Sequence, residues 1–428
     1  MLRLKRYLPI LLASLLAPLP AFAQVDSGDT AWMMISTALV LLMTPGLAFF
    51  YAGMVRRKNA VSTLYQNIVA LGVIGLAWVV IGFSLAFSGG SGFIGDTAKV
   101  MLNGVGQEPD GSATIPFLLF MMFQMMFAII TPALMTGAFA ERVRFKSWLL
   151  VLLLWSICVY SPVAHWVWAP TGWLLAKGAL DFAGGFVVHM TAGFSALVAA
   201  IVIGKRSDFG KTHKPYDVGM IVLGTSLLWF GWFGFNAGSA LASGGLAVQA
   251  FTTTFISAAA AMLMWTLVDN IKDGKPTIMG ACIGIVAGLV AITPAAGFVT
   301  PASAIVIGLL AGSICNIVAR MVKNTFKIDD TLDVFACHGI GGLLGIIMTG
   351  LLATKAVNSA GADGLLNGGS ALFAANLTGA VSVAVYSMVV TFIILKVVNI
   401  ISPLRVSSSD ESSGLDSSQH GESINSAA

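Results

Sequence analysis

Eleven runs of about 20 apolar residues constrain this chain more than any other feature of its sequence; they lie near 31–54, 60–87, 115–138, 147–169, 184–203, 217–240, 246–269, 277–293, 301–321, 333–354 and 370–398. A helix of that length crosses the ~30 Å hydrocarbon layer, and it satisfies every backbone N–H and C=O within its own segment. The expected fold is therefore an all-α polytopic membrane protein with eleven transmembrane helices. Composition agrees, because 57% of residues are hydrophobic, 10% are charged and mean hydropathy is +0.89, far from a soluble domain. The net charge of +4 is too small, and its basic residues too scattered, for a nucleic-acid partner.

The stretch MLRLKRYLPILLASLLAPLPAFAQ has a basic start (Arg3, Lys5, Arg6), a short apolar core and an Ala21-Phe22-Ala23 ending. It reads as a secretory signal peptide cleaved after Ala23. The competing reading, an uncleaved transmembrane helix, is opposed by Pro9, Pro18 and Pro20. A cleaved leader leaves the mature N-terminus outside the cytoplasm, and eleven crossings then bring the C-terminus inside. Positive charge tests that topology, since cytoplasmic loops hold the Lys and Arg. Of the 20 basic residues beyond the leader, only Lys99, Lys177 and Lys355 fall in loops placed outside. The expected organisation is a signal peptide at 1–23, a membrane domain at 24–402 in the inner (cytoplasmic) membrane, and a cytoplasmic tail at 403–428.

An internal repeat follows. Asp181 precedes His189 by eight residues in DFAGGFVVHMTAGFSALV, and Asp330 precedes His338 by eight in DDTLDVFACHGIGGLLGII. Glycine stands four residues after each His, at Gly193 and Gly342. These are the fifth and tenth runs, so they traverse the bilayer in opposite directions. That is an inverted repeat of five plus five helices, with the eleventh left over. Meeting at a pseudo-two-fold axis, His189 and His338 would face each other, one neutral imidazole donating and the other accepting. An ionisable group in hydrocarbon is costly and marks a pathway or a site. Two other readings stay open: each His bonds a nearby carbonyl as an ordinary core residue, or the pair binds metal. No carboxylate accompanies the pair at ligand spacing, and Cys337 points about 100° away from His338 on a helix. Cys158, Cys282, Cys315 and Cys337 each sit alone in apolar runs and read as buried thiols.

Aromatic residues form a second constellation. Trp232, Phe235 and Ser239 are spaced i, i+3 and i+7 on one helix face, Phe123 and Phe127 are spaced i and i+4 on another, and HWVWAP carries Trp166 and Trp168. Packing or interfacial anchoring accounts for any one of them. Together they offer ring faces that bind a small cation without a carboxylate.

The stretches TPGLAFFYAGMVRRKN (44–59), GAFAERVRF (137–145), GALDFAGGFVVH (178–189), WFGFNAGSA (232–240), ITPAAGF (292–298) and DVFACHGIGG (333–342) together resemble the Amt/MEP/Rh family of ammonium transporters, and the bacterial Amt proteins among them. The resemblance covers essentially the whole mature chain. It implies two inverted halves assembled as a homotrimer with one pore per subunit, no enzymatic activity and no cofactor or metal. It implies an outer recruitment site for ammonium at Trp168, Phe127 and Ser239. Phe127 and Phe235 would form a stacked gate, and His189, His338 and Trp232 would line the pore. Asp181 would hold backbone beneath the recruitment site, with Asp330 as its partner in the second half. Ala52 stands where many relatives have glycine, and the tail after Arg405 is serine-rich.

Those residues support recruitment of ammonium by cation–π contacts, proton loss near the Phe gate, and passage of ammonia past two imidazoles that can also relay the proton. Potassium cannot shed a proton and would be refused. By composition, residues 403–428 are disordered or loosely docked. By resemblance, Gly414-Leu415-Asp416 and His420-Gly421-Glu422 pack on the inner face, where a PII-type signalling protein can block the pore. An ammonium sensor that binds without conducting is the alternative reading. A haem enzyme would need axial histidines beyond this single pair, and transport of neutral gases would suit a less aromatic mouth.

Overall fold

The computed structural model describes residues 24–211 and 213–424, so the leader expected at 1–23 lies outside the described residues. The described chain is a helical bundle: α1 (Ser27–Met54), α2 (Arg57–Phe87), α3 (Phe117–Ala138), α4 (Phe145–Ala176), α5 (Gly185–Ile203), α6 (Val218–Gly238), α7 (Gly245–Asp273), α8 (Ile278–Ile292), α9 (Pro301–Asn324), α10 (Phe335–Leu352) and α11 (Ser370–Ile401). Ten of these are long and apolar enough to cross a membrane; α8, at the eighth apolar run, has 15 residues. It ends at Ile292, and residues 293–299, Pro294 among them, follow as buried turns. Among the described residues no strand forms; Val143 and Arg405 make an isolated antiparallel bridge.

The two halves are inverted, and they meet through glycine. Helices α1 and α6, first of each half, lie against each other closely enough that a Cβ on Gly224 would sit 2.3 Å from Phe50 N, and one on Gly231 2.6 Å from Leu39 O. Between α5 and α10 a Cβ on Gly193 would sit 2.0 Å from Gly339 N. Lipid gives helices no hydrophobic reason to associate, so backbone approach at small residues supplies the contact. A further echo lies in α3 and α8, where Ile-Thr-Pro-Ala recurs at 130–133 and 292–295. In each copy the threonine hydroxyl donates one turn back, Thr131 to Phe127 O and Thr293 to Leu289 O.

One end of the bundle carries most of the Lys and Arg, and its charges are paired. Glu141 accepts from Arg56 and Arg206, and Arg206 also donates to Asp329 at 2.9 Å. Arg142, buried beside them, places all five N–H groups on protein oxygens: Gly204 O, Ala140 O, Thr331 Oγ1, Ala138 O and Asp329 O. The two guanidinium groups hold the Glu141 carboxyl down at about 2 against the opposing effect of burial, and burial brings Arg142 to about 10. Against this face lies the tail, with α12 (Ser408–Ser413) and a π-helical turn at Asp416–His420. Its composition suggests looseness, yet its carboxylates meet donors. Glu411, 3% exposed, accepts from Ser207 N and Arg405, and Asp416 accepts from Val61 N and Ser62 N at 3.1 and 2.8 Å.

Candidate functional site

Both histidines sit in π-helical turns that open α5 and α10, Gly185–Met190 and Phe335–Ile340. A π turn displaces the ladder and commonly marks a functional position. An aspartate anchors each turn. Asp181 Oδ1 accepts from Gly184 N and Gly185 N at 2.8 and 2.6 Å, and its Oδ2 from Phe186 N at 2.7 Å. Asp330 accepts from Val334 N and Phe335 N at 3.1 and 2.8 Å. The free donors of each helix start are thereby satisfied inside the protein, where water is not available to do it.

The anchoring brings His189 and His338 together, with Nδ1 to Nδ1 at 3.2 Å. One ring donates and the other accepts, so the pair is held while neutral. In either arrangement one Nε2 carries a proton and the other an open lone pair. His189 Nε2 is buried without a partner among the described residues. The His189 ring lies nearly parallel to Trp232 and Phe235, at 5.4 and 6.0 Å between centroids. Trp232 is fixed through Nε1, which donates to Thr293 Oγ1 at 2.9 Å. Around these groups the helices leave a lumen of about 10 Å³, lined also by Leu47, Leu134 and Val286. That is room for about one water-sized molecule.

Phe127 and Phe235 lie 4.2 Å apart between centroids, tilted 32°, and they separate two spaces. Phe235 lines the lumen, and Phe127 lines a vestibule of about 140 Å³ on the face opposite the basic end. Trp168 and Ser239 line that vestibule too, with the indole edge-on to Phe127 at 6.1 Å and 90°. Trp168 Nε1 donates to Asp181 O and the Ser239 hydroxyl donates to Phe235 O, so what remains toward the cavity is ring faces and oxygen lone pairs. At the basic end, Ile283 on α8 lines a recess of about 430 Å³ one turn from Val286, and Arg56, Glu141, Arg206, Lys323 and Asp333 line it as well.

The residues singled out from sequence thus fall on one path: vestibule (Trp168, Phe127, Ser239), ring pair (Phe127, Phe235), lumen (Trp232, His189, His338), with Asp181 and Asp330 behind the helix starts. Sequence reading missed Thr293, which orients Trp232, and the vestibule residues Phe87, Phe120, Gln124, Phe182 and Leu241. Gln124 carries a signal that could have found it, because it is the one polar residue on the Phe120–Phe127 face of α3. Among the described residues, no group of three or more His, Cys, Asp or Glu side chains is placed to hold a metal ion.

Against known proteins, the sequence profile of the Ammonium Transporter Family matches residues 31–424. An ammonium transporter of Bacillus subtilis is 50% identical over 93% of this chain and 98% of its own. The crystal structure of Mep2 from Candida albicans matches with a TM-score of 0.86 at 39% identity, covering 90% of this chain and 88% of that one. A solved structure described as a sensor Amt protein matches with a TM-score of 0.84 at 29% identity, covering 92% and 98%.

Proposed function

The chain belongs to the Ammonium Transporter Family, and we propose that it carries ammonium across the cytoplasmic membrane, taking up the ion at the vestibule and passing ammonia through the lumen. The observation that carries this reading is the pairing of an uncharged lumen with a vestibule of ring faces, divided by Phe127 and Phe235. Moving a unit charge from water to an interior of dielectric ~4 costs on the order of 20 kcal/mol by an idealised estimate. No carboxylate is placed among the lumen-lining residues to offset that. Cation–π contacts supply about 2 kcal/mol or more each where water is excluded. They are sufficient to collect an ion at the mouth and insufficient to carry it through.

Ammonium escapes this barrier by giving up a proton above the ring pair. Neutral ammonia, about the size of water, then fits the lumen. The imidazole pair meets it with one N–H and one lone pair, matching a molecule that both accepts and donates. The pair also offers a route for the released proton: it adds to the open Nε2 lone pair of one ring, the shared hydrogen crosses the Nδ1 to Nδ1 bond, and the other ring's Nε2 proton leaves, which swaps the roles of the two rings. Potassium has no proton to lose and stops at the vestibule.

By the same reading the basic face is cytoplasmic, the mature N-terminus lies outside, and the protein works as a homotrimer with one path per subunit. The docked tail lies against the same basic face, where a PII-type signalling protein would control the exit. The likeness to a sensor keeps one rival in view, namely binding without conduction. Purified protein in liposomes decides it: an ammonium pulse is expected to give a saturable current that potassium does not elicit. His189→Ala and His338→Ala should each change that current or its selectivity. If both leave it untouched, the pair has no part in conduction.

A further inference from the structure

The vestibule contains a group that the transport reading leaves unused. Gln124 sits on α3 one turn before Phe127 and lines the cavity with Phe127, Trp168 and Ser239. It is 8% exposed, and its Oε1 is buried with no hydrogen-bond partner among the described residues. A buried amide oxygen left unpaired is costly, and in a native structure such an orphan needs an explanation. Packing does not require an amide there, because its neighbours Phe120 and Phe123 on the same helix face are apolar.

We propose that the Gln124 carboxamide oxygen is a second hydrogen-bond acceptor for the cation held in the vestibule, and that it sets the preference for ammonium over its methylated derivatives. This rests on the reading of the vestibule as an ammonium site. Ammonium donates four hydrogen bonds and accepts none. Ser239 has spent its proton on Phe235 O, so its oxygen is an acceptor. Gln124, from α3 on another side of the cavity, supplies the next one. The remaining N–H bonds meet Phe127 and Trp168, whose rings stand at 90° to each other. Methylammonium keeps three donors, enough for both acceptors, but with two N–H bonds held by Ser239 and Gln124 its methyl group has to lie against a ring where an N–H lay before, in a cavity of about 140 Å³; the second acceptor thus fixes the orientation that discriminates. The ring faces alone discriminate poorly, because a methylated ammonium also binds to aromatic faces.

The test uses the full chain in liposomes, with ammonium and methylammonium as substrates and tryptophan emission as an independent binding readout. Gln124→Met keeps length and bulk and removes the acceptor; Gln124→Glu keeps an oxygen at the same reach. Gln124→Met is expected to raise the half-saturating ammonium concentration about tenfold, with maximal current within about twofold, and to shrink the ammonium-over-methylammonium preference at least about threefold. Gln124→Glu should recover the ammonium half-saturation. The inference is overturned if Gln124→Met leaves both quantities unchanged, or if Gln124→Glu is no better than Gln124→Met. Should one variant fold poorly, the other against wild type still reads the preference. If wild type carries no current, the transport reading fails by itself. A tenfold weaker tryptophan response to ammonium in Gln124→Met would then still establish the acceptor, and an unchanged response would remove it.

Discussion

At the centre of the bundle, His189 and His338 share a single hydrogen bond and His189 Nε2 has no partner among the described residues, whereas at the basic end Arg142 places all five N–H groups on protein oxygens. Both clusters are buried, and both join the two halves. They differ in what they leave over. Arg142 is fully partnered, so it has nothing to offer a passing molecule, and the value of the charged cluster is to lock the end of α1, the 139–144 loop, the 204–208 segment and the 325–334 segment into one plate. The imidazole pair is incomplete and uncharged, so it costs little to bury and keeps capacity in reserve. The donors of Arg142 are all taken, whereas the imidazole pair in the lumen keeps a ring nitrogen open.

That contrast breaks most sharply at Glu141. Glu141→Ala leaves Arg56 and Arg206 without their shared carboxylate and is expected to cost about 3 kcal/mol or more, since removing one partner strands buried charge. Thermal unfolding in detergent measures this, and transport by the surviving folded fraction should keep its selectivity. Acid probes the same group. Because the folded carboxyl titrates at about 2, below its ordinary 4.5, its contribution is whole above about pH 5 and is lost as pH falls from there toward 2. The shift corresponds to about 3 kcal/mol, and Glu141→Gln should flatten that limb of the stability profile. A variant whose acid limb is unchanged would mean that Glu141 does not anchor the plate.

The converse substitution belongs to the centre. His338→Leu fills the lumen and removes one hydrogen bond worth about 1 kcal/mol net, so stability should move by no more than about that amount. Ammonium current should nevertheless fall at least about tenfold, which is 1.4 kcal/mol on the barrier. Comparable losses in both would erase the distinction between the two clusters.

The sequence made the central site legible because its parts repeat. The eight-residue spacing from Asp181 to His189 and from Asp330 to His338 survives as matched anchors and π turns, and local spacing also placed Phe235 and Ser239 on one face of α6. Helix count was legible from hydropathy, although the helix at the eighth run, α8, has only 15 residues. The basic plate was not. Arg56, Arg142 and Arg206 counted only as positive charge toward topology, because partners that fix them lie far away in the chain, 65 residues from Arg206 to Glu141 and 189 from Arg142 to Thr331. Glu141 itself takes a positive φ of 74°, which no residue pattern announces. Gln124 was passed over because an orphaned oxygen is defined by what surrounds it. The tail misled for the same reason, as its polar residues are partnered by N–H groups at the start of α2.

The tail gives a milder version of the contrast, with partners on one side and water on the other. Asp416 caps the helix start at Val61 and Ser62, so Asp416→Ala should weaken docking by about 1 kcal/mol, read as faster amide exchange across residues 408–420.

His420 has the smallest expected effect and the clearest sign. Its ring stands 5.0 Å from Phe145 and 5.3 Å from Tyr65, with Nε2 3.3 Å from Ser62 Oγ. Burial against those rings lowers its pKa below the ordinary 6.5, although Asp416 and Glu422 pull the other way. A base whose folded pKa is depressed contributes fully above 6.5, and that contribution fades as pH falls through 6.5 toward the folded value. With exchange rates corrected for their intrinsic slowing in acid, amide protection in 414–422 should therefore fall between pH 7 and pH 5.5, by no more than about twofold, a few tenths of a kcal/mol after solvent screening. His420→Phe keeps a ring between Phe145 and Tyr65 and removes the proton, so its exchange should lose this step while the shallow rise from other groups remains. If the step persists in His420→Phe, the pH response belongs to Asp416 or Glu411, and the ring serves only to pack.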